Sequence, residues 1–238
     1  KSWTFYCPQT TYTDTFDYCT AGGTITYGWD TSSDYAPSGV SHDIWGREEY
    51  KVSPGVNIAG RRSLELYGKG SVNLAVSALI WDLSNLHVTT DLDIQVLNMY
   101  KYSQESYEDI TYIQFEIQTS SGLFYAYYVR VKPGFTTSEV WDVVNRELTC
   151  ITTASGCTPP PNHYVKILGL GDWNQFIPFF PSGFNLKQDL GIDGVVTKIA
   201  FVAVGGRGGA RIRSYFDDLT ISWRRCQLPG HITPHTRG

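Results

Sequence analysis

Residues 214–223 read "SYFDDLTISW", and the reading of this stretch decides the fold class. Its composition is that of a β-strand, and neighbouring side chains of a strand point to opposite faces. Tyr215, Asp217, Leu219, Ile221 and Trp223 then share one face, and Phe216, Asp218, Thr220 and Ser222 share the other. The first set is the more apolar and is expected on the core side, with Asp217 turned inward and Asp218 outward. An unpaired charge at the edge of a core costs several kcal/mol, so Asp217 needs a partner.

Working outward from it, strand-like segments follow at about 2–7, 23–29, 62–67, 71–81, 86–100, 109–119, 123–132, 163–168 and 195–204. Gly, Pro, Ser and Asp clusters such as "SSDYAPSG", "TSSG", "TPPPN" and "GGRGG" separate them. Helical periodicity is nearly absent, with "SEVWDVVNREL" (138–148) the one ambiguous stretch. Many antiparallel strands with alternating faces predict an all-β fold, a two-sheet antiparallel β-sandwich of the jelly-roll kind. No linker divides the chain. Residues 1–226 are expected to form one domain, and 227–238 a C-terminal tail.

Alternation also proposes a binding surface. In "TYIQFEIQT", Ile113, Phe115 and Ile117 oppose Tyr112, Gln114, Glu116 and Gln118. In "LFYAYYVRVK", Tyr125, Tyr127, Val129 and Val131 oppose Phe124, Tyr128, Arg130 and Lys132. With these strands side by side, Tyr112, Gln114, Glu116, Gln118, Tyr128 and Arg130 are expected to form a solvent-facing platform of rings, amides and charges.

Composition narrows the function. The chain has 238 residues, 42% hydrophobic, 14% aromatic and 18% charged, which suits a single large β domain. A formal net charge of −4 and the lack of a Lys/Arg run argue against nucleic acid as partner. The longest apolar stretches are strand-sized, so no helical membrane span is expected. Starting at Lys1 with no signal-like apolar segment ahead, the sequence reads as a processed mature chain or a trimmed one.

Five cysteines support a secreted, extracellular setting. Cys7 and Cys19 would close one short loop by a disulfide, and Cys150 and Cys157 would bracket "ITTASG" with another. Cys226 is left as a buried thiol, an alternative partner for Cys7 or Cys19, or an intermolecular link.

Several stretches together resemble carbohydrate-binding modules of the galactose-binding-like jelly-roll type. "YTDTFDY…GW" is similar to their opening strand and "GRRSLEL" to their second segment. "DWNQFIPFF…DLGIDGVVTKIAFVAV" is similar to the penultimate part, and "YFDDLTIS" to the closing strand. The long central strands also suit a concanavalin-like sandwich. The resemblance implies a glycan or polysaccharide as partner. It also implies a structural Ca²⁺ clamping the first and last strands, with Asp14 and Asp17 from the opening strand and Asp217 or Asp218 from the closing one. Calcium takes oxygen ligands and neutralises clustered carboxylates. Against the ion stands a simpler reading: Asp217 caps its strand, or pairs with Arg61, Arg211 or Arg213.

Three functions follow in order of expectation. The first is a non-catalytic protein of carbohydrate-binding type, secreted or on the cell surface, with Trp45, Trp141 and Trp173 as further stacking candidates. The second is an extracellular structural subunit that binds copies of itself, building a filament or surface lattice by exchanging a terminal strand. The third is a polysaccharide hydrolase or lyase using Glu116, Asp93 or Glu65. No compact catalytic signature accompanies those acids, and no Ser/His/Asp or Cys/His constellation is visible.

Overall fold

The computed structural model describes residues 9–14, 40–56, 60, 62–104, 109–131, 162–170 and 177–224. Two sheets pack face to face, confirming the all-β sandwich. In sheet A, β11 (Ile177–Pro178), β7 (Leu92–Gln104), β14 (Arg211–Arg224), β4 (Arg62–Lys69) and β3 (Glu49–Val56) lie side by side. In the same sheet β1 (Gln9–Asp14) also pairs β14, and β12 (Phe184–Asn185) also pairs β7. Sheet B runs β10 (His163–Leu170), β9 (Gly122–Val131), β8 (Ile110–Thr119), β13 (Val195–Gly205), β5 (Ala75–Asp82), β2 (Ser41–Arg47), with β6 (Val88–Thr89) pairing β13. A short helix, α1 (Leu186–Leu190), follows β12; Asn185 caps its start and Gly191, at φ 70°, ends it.

The outer strands β2 and β3 were not expected from the sequence. β3 carries Pro54, which a sheet tolerates only where no ladder donor is needed, and β3 is the edge of sheet A. A second departure is the pairing of β9 with β10, which is parallel rather than antiparallel.

The core lies between the sheets. Leu64, Leu66, Phe216, Leu219 and Ile221 of sheet A meet Trp81, Ile113, Phe115, Tyr128 and Phe201 of sheet B. Phe179, Phe180 and Phe184, after the edge strand β11, close one side with ring centroids 4.3 to 4.9 Å apart. Full burial of each such side chain stabilises the fold by about 1.5–3 kcal/mol. Polar contacts cross this layer too: the hydroxyls of Thr111 and Ser214 lie 2.6 Å apart, both wholly buried, and Ser77 Oγ of sheet B donates to Lys51 O of sheet A at 2.6 Å.

The closing strand corrects the first expectation. Ile212 and Phe216 point into the core, and so do Leu219, Ile221 and Trp223. Even-numbered positions face inward before residue 217 and odd-numbered ones after 218. A bulge makes the switch: the pairing with β7 shifts between Asp217 and Thr220, and Asp218 adopts φ 54°. β14 also changes neighbours there, pairing β4 through residues 211–216 and β1 through 219–224. Tyr215 and Asp217 therefore lie on the outer face of sheet A, away from the core that the simple alternation assigned them.

Candidate functional site

The expected platform on β8 and β9 does not form one surface. Tyr128 stands opposite Ile113 and Arg130 opposite Thr111, whereas Tyr112, Gln114 and Glu116 stand opposite Val129, Tyr127 and Tyr125. Tyr128 is consequently in the inter-sheet core, while Tyr112 belongs to a second apolar cluster on the outer face of sheet B. Nor is the row exposed. Tyr112, Gln114, Glu116 and Tyr128 are buried, Arg130 is half-buried, and Gln118 at the strand's end is the exposed member. Glu116 accepts from Thr197 Oγ1 at 2.8 Å and pairs with Lys198 at 3.4 Å. Gln114 Oε1 has no hydrogen-bond partner among the described residues. A sequence signal for this burial existed in "AVSALIW" (75–81). Such a run, apolar on both faces but for Ser77, marks a strand covered on both sides.

The polar sheet surface lies on the other side of the molecule, on the outer face of sheet A. Leu64 and Leu66 of β4 point inward, so Ser63, Glu65, Tyr67 and Lys69 point out. Register then builds cross-strand rows. Ser53, Glu65 and Tyr215 form one, Lys51, Tyr67 and Arg213 the next, and Glu49, Lys69 and Arg211 the third. Glu65 anchors the middle: Arg213 Nε lies 3.4 Å from its Oε1 and Lys51 Nζ 3.4 Å from its Oε2. The Arg213 guanidinium stands 5.4 Å from the Tyr67 ring centre. Tyr67 Oη and Lys69 Nζ both donate to Glu49, at 3.3 and 3.2 Å.

Past the bulge the same face continues through β1. Gln9 Nε2 donates to Ser222 Oγ at 2.9 Å, and the hydroxyls of Thr13 and Thr220 lie 3.3 Å apart. The result is a strip of carboxylates, cations, hydroxyls and one half-buried tyrosine ring on a rigid ladder. Burial grades along it. Ser63, Glu65 and Asp217 are nearly covered, whereas Lys69, Glu49 and Arg213 keep about a third of their side-chain surface open.

The covered end contains two features that point beyond packing. Ser53 Oγ and Ser63 Oγ are buried without a hydrogen-bond partner among the described residues, an arrangement that costs about 1–3 kcal/mol per group. Gly55 opposite Ser63 is there because space requires it: a Cβ at this position would sit 2.6 Å from Glu65 Oε2 and 3.0 Å from the Tyr215 ring.

The expected calcium ligands divide. The pairing of the opening and closing strands is present, with Asp14 opposite Leu219. Asp217 Oδ1 accepts from the Asp218 backbone N–H at 2.9 Å, the capping contact of the simpler reading. Asp17 and the Asp14 side chain lie outside the described residues, as do Cys7, Cys19, Cys150, Cys157, Cys226, Arg61, Trp141, Trp173 and the tail. Among the described residues no group of three His, Cys, Asp or Glu side chains is placed to hold a metal ion. Arg213 pairs with Glu65. Trp45 is half-buried against the outer cluster of sheet B.

The acids weighed for catalysis do not converge. Glu116 is on the outer face of sheet B and Glu65 on that of sheet A. Asp93 Oδ1 accepts from Asn185 Nδ2 at 2.8 Å, an amide that also donates to Asp91 at 3.0 Å.

Sequence reasoning missed a polar hub at helix α1. Tyr128 Oη donates to Asp189 Oδ2 at 2.9 Å, Tyr164 Oη does so at 3.4 Å, and Lys166 Nζ forms an ion pair with the same carboxylate. Burial, then the negative charge of Asp189, pushes the Tyr128 hydroxyl well above its ordinary range; Tyr164 is raised by the same two causes. No sequence periodicity connects a residue of a five-residue helix to strands so far away.

No protein-family model matches the chain, and no curated protein matches it. Among solved structures, an exo-β-agarase is similar over 87% of this chain and 26% of its own length, at 13% identity and a TM-score of 0.27. The agarase AgWH50C is similar over 86% of this chain and 25% of its own, at 11% identity and a TM-score of 0.28. The chain thus spans about a quarter of the length of each. No helix among the described residues is long and apolar enough to cross a membrane.

Proposed function

We propose that this protein is a non-catalytic glycan-binding β-sandwich, and that an extended saccharide lies along the polar outer face of sheet A. One observation carries the reading. Glu49, Lys51, Glu65, Tyr67, Lys69 and Arg213 stand in register on three paired strands, held by each other's hydrogen bonds. Saccharides are recognised by fixed polar groups beside an apolar ring surface, and a paired ladder holds such groups with little entropy left to lose on binding. The outer face of sheet B is apolar and buried, which favours sheet A as the side that meets a soluble polymer.

The non-catalytic part of the proposal is supported at Glu65, an enclosed acid of the strip. Each of its oxygens already faces a cation, so it reads as the centre of an ion-pair network. An extracellular location fits a polysaccharide ligand and the disulfides expected from the sequence. The calcium clamp stays a proposal supported by the β1–β14 pairing alone. Its test is a melt after chelation, where an unchanged midpoint on adding Ca²⁺ ends it.

The test of binding is a panel of neutral and charged polysaccharides immobilised for a retention assay. Saturable retention is expected, weakened about tenfold by Tyr67→Ala with the melting temperature kept. Retention that Tyr67→Ala and Lys69→Ala both leave unchanged would remove sheet A as the binding face.

A further inference from the structure

An open cleft of about 590 Å³ lies between β10, an edge strand of sheet B, and β11, an edge strand of sheet A. Arg130, Lys166, Leu168, Pro178, Phe180 and Ser182 are among its walls. It is separate from the polar strip, which occupies the outer face of sheet A.

Its two cationic heads are held in different ways. The Arg130 guanidinium is fixed by backbone carbonyls: Nε and Nη2 donate to Phe179 O at 3.2 and 2.6 Å, Nη2 to Pro178 O at 2.9 Å, and Nη1 to Leu168 O at 3.3 Å. These bonds join both edges of the cleft through one side chain. Space for the guanidinium comes from Gly169, at the irregularity in β10, since a Cβ there would fall 2.2 Å from Arg130 Nη1. Lys166 is anchored by Asp189, yet 40% of its side chain stays open. An ammonium has three donors, and the Asp189 contact uses only part of them. Beside these heads the wall is apolar, with Pro178, Pro181, Leu168 and the Phe180 ring.

A fixed guanidinium and an anchored ammonium beside an apolar wall suit a ligand with a ring face and an oxyanion. We propose that this cleft is a second binding site, for an oxyanion carried on a saccharide, a sulfate ester or a uronate carboxylate. The saccharide part rests on the glycan-binding reading above; the oxyanion part does not.

The experiment is a calorimetric titration of the full chain with inorganic sulfate, dextran sulfate oligosaccharides, oligogalacturonate and neutral dextran oligosaccharides. Wild-type protein is expected to bind one or both charged oligosaccharides, and which one identifies the source of the oxyanion. Neutral dextran is expected to show no heat from this site. Lys166→Met should weaken charged binding about tenfold, as loss of a charge-assisted hydrogen bond does. Lys166→Arg should restore most of it. Lys166→Gln keeps a donor for Asp189 and checks that lost binding is not lost folding.

Equal binding by wild type and Lys166→Gln, or no binding of any charged ligand, overturns the site. Tyr67→Ala keeps the two readings apart. Charged binding that survives Tyr67→Ala but not Lys166→Gln supports the cleft even where the sheet A strip fails. Binding lost only with Tyr67→Ala supports the strip and removes the cleft.

Discussion

Tyr128 hands its hydroxyl hydrogen to Asp189 across 2.9 Å, fastening the middle of β9 to helix α1. Burial raises the hydroxyls of Tyr127 and Tyr128; Tyr125 and Glu116 add to the first, Asp189 to the second. An unfolded tyrosine ionises near pH 10. Both groups bind their protons more tightly in the folded chain, so their contribution is complete below about pH 10 and declines as pH rises above it. Urea melts at pH 8 and pH 11 should show a clear fall in midpoint, with tyrosinate absorbance rising only as the chain unfolds. An unchanged midpoint at pH 11 would contradict this assignment.

Replacing Asp189 should be costly. Asp189→Ala strands the wholly buried Tyr128 hydroxyl and the Lys166 ammonium together, and a loss of about 2–3 kcal/mol is expected. Asp189→Asn retains an acceptor and should lose less. Denaturant midpoints measured on both variants decide the order; equal losses would mean the charge, not the hydrogen bond, matters.

Asp218 is the extra residue of the bulge, so its deletion leaves Asp217 outward and Leu219, now next in the strand, inward. Leu219, Ile221 and Trp223 then keep the core side, and a cooperative melt is expected from that variant; a chain that fails to fold would contradict the one-residue bulge. Asp218→Val is expected to lose stability instead, because a β-branched residue at φ 54° is strained by about 1–2 kcal/mol.

Gly55→Ala should push Glu65 and Tyr215 from their places, at an overpacking cost of about 1–3 kcal/mol. The proposed glycan affinity should drop with it, although no ligand atom need touch residue 55. Retention by the polysaccharide panel and a melt on the same preparation check both halves.

Ser63→Ala should have the opposite effect on stability. Its hydroxyl is buried without a partner among the described residues, so removal is expected to be neutral or stabilising by up to about 1 kcal/mol. A loss above about 1 kcal/mol would show that the hydroxyl is satisfied in solution.

The sandwich was legible wherever one face of a strand is apolar and the other polar, as in "RSLELYGK" of β4, where Leu64 and Leu66 oppose Ser63, Glu65 and Tyr67. Two things hid the rest. Alternation says which side chains share a face but not whether that face meets water. Tyr112, Gln114 and Glu116 therefore looked solvated while lying buried on sheet B. Alternation also assumes an unbroken period of two, and the Asp217–Asp218 bulge breaks it midway through the strand that first suggested the fold. The sheet A strip needed one fact more, the register of β3, β4 and β14, because each strand alone shows only two or three of its residues.

The strand that pairs with β1, β4 and β7 at once is the last one described. Every strand of sheet B has left the ribosome by Gly205, but sheet A has no centre until residues 211–224 emerge. Synthesis therefore delivers a sheet whose inner face has no lid, and this strand must pair with neighbours as distant as β1, made more than 200 residues earlier. Such distant pairings fold slowly and leave apolar surface open meanwhile. A stop codon anywhere before Arg211 should yield an aggregating product rather than a smaller folded one.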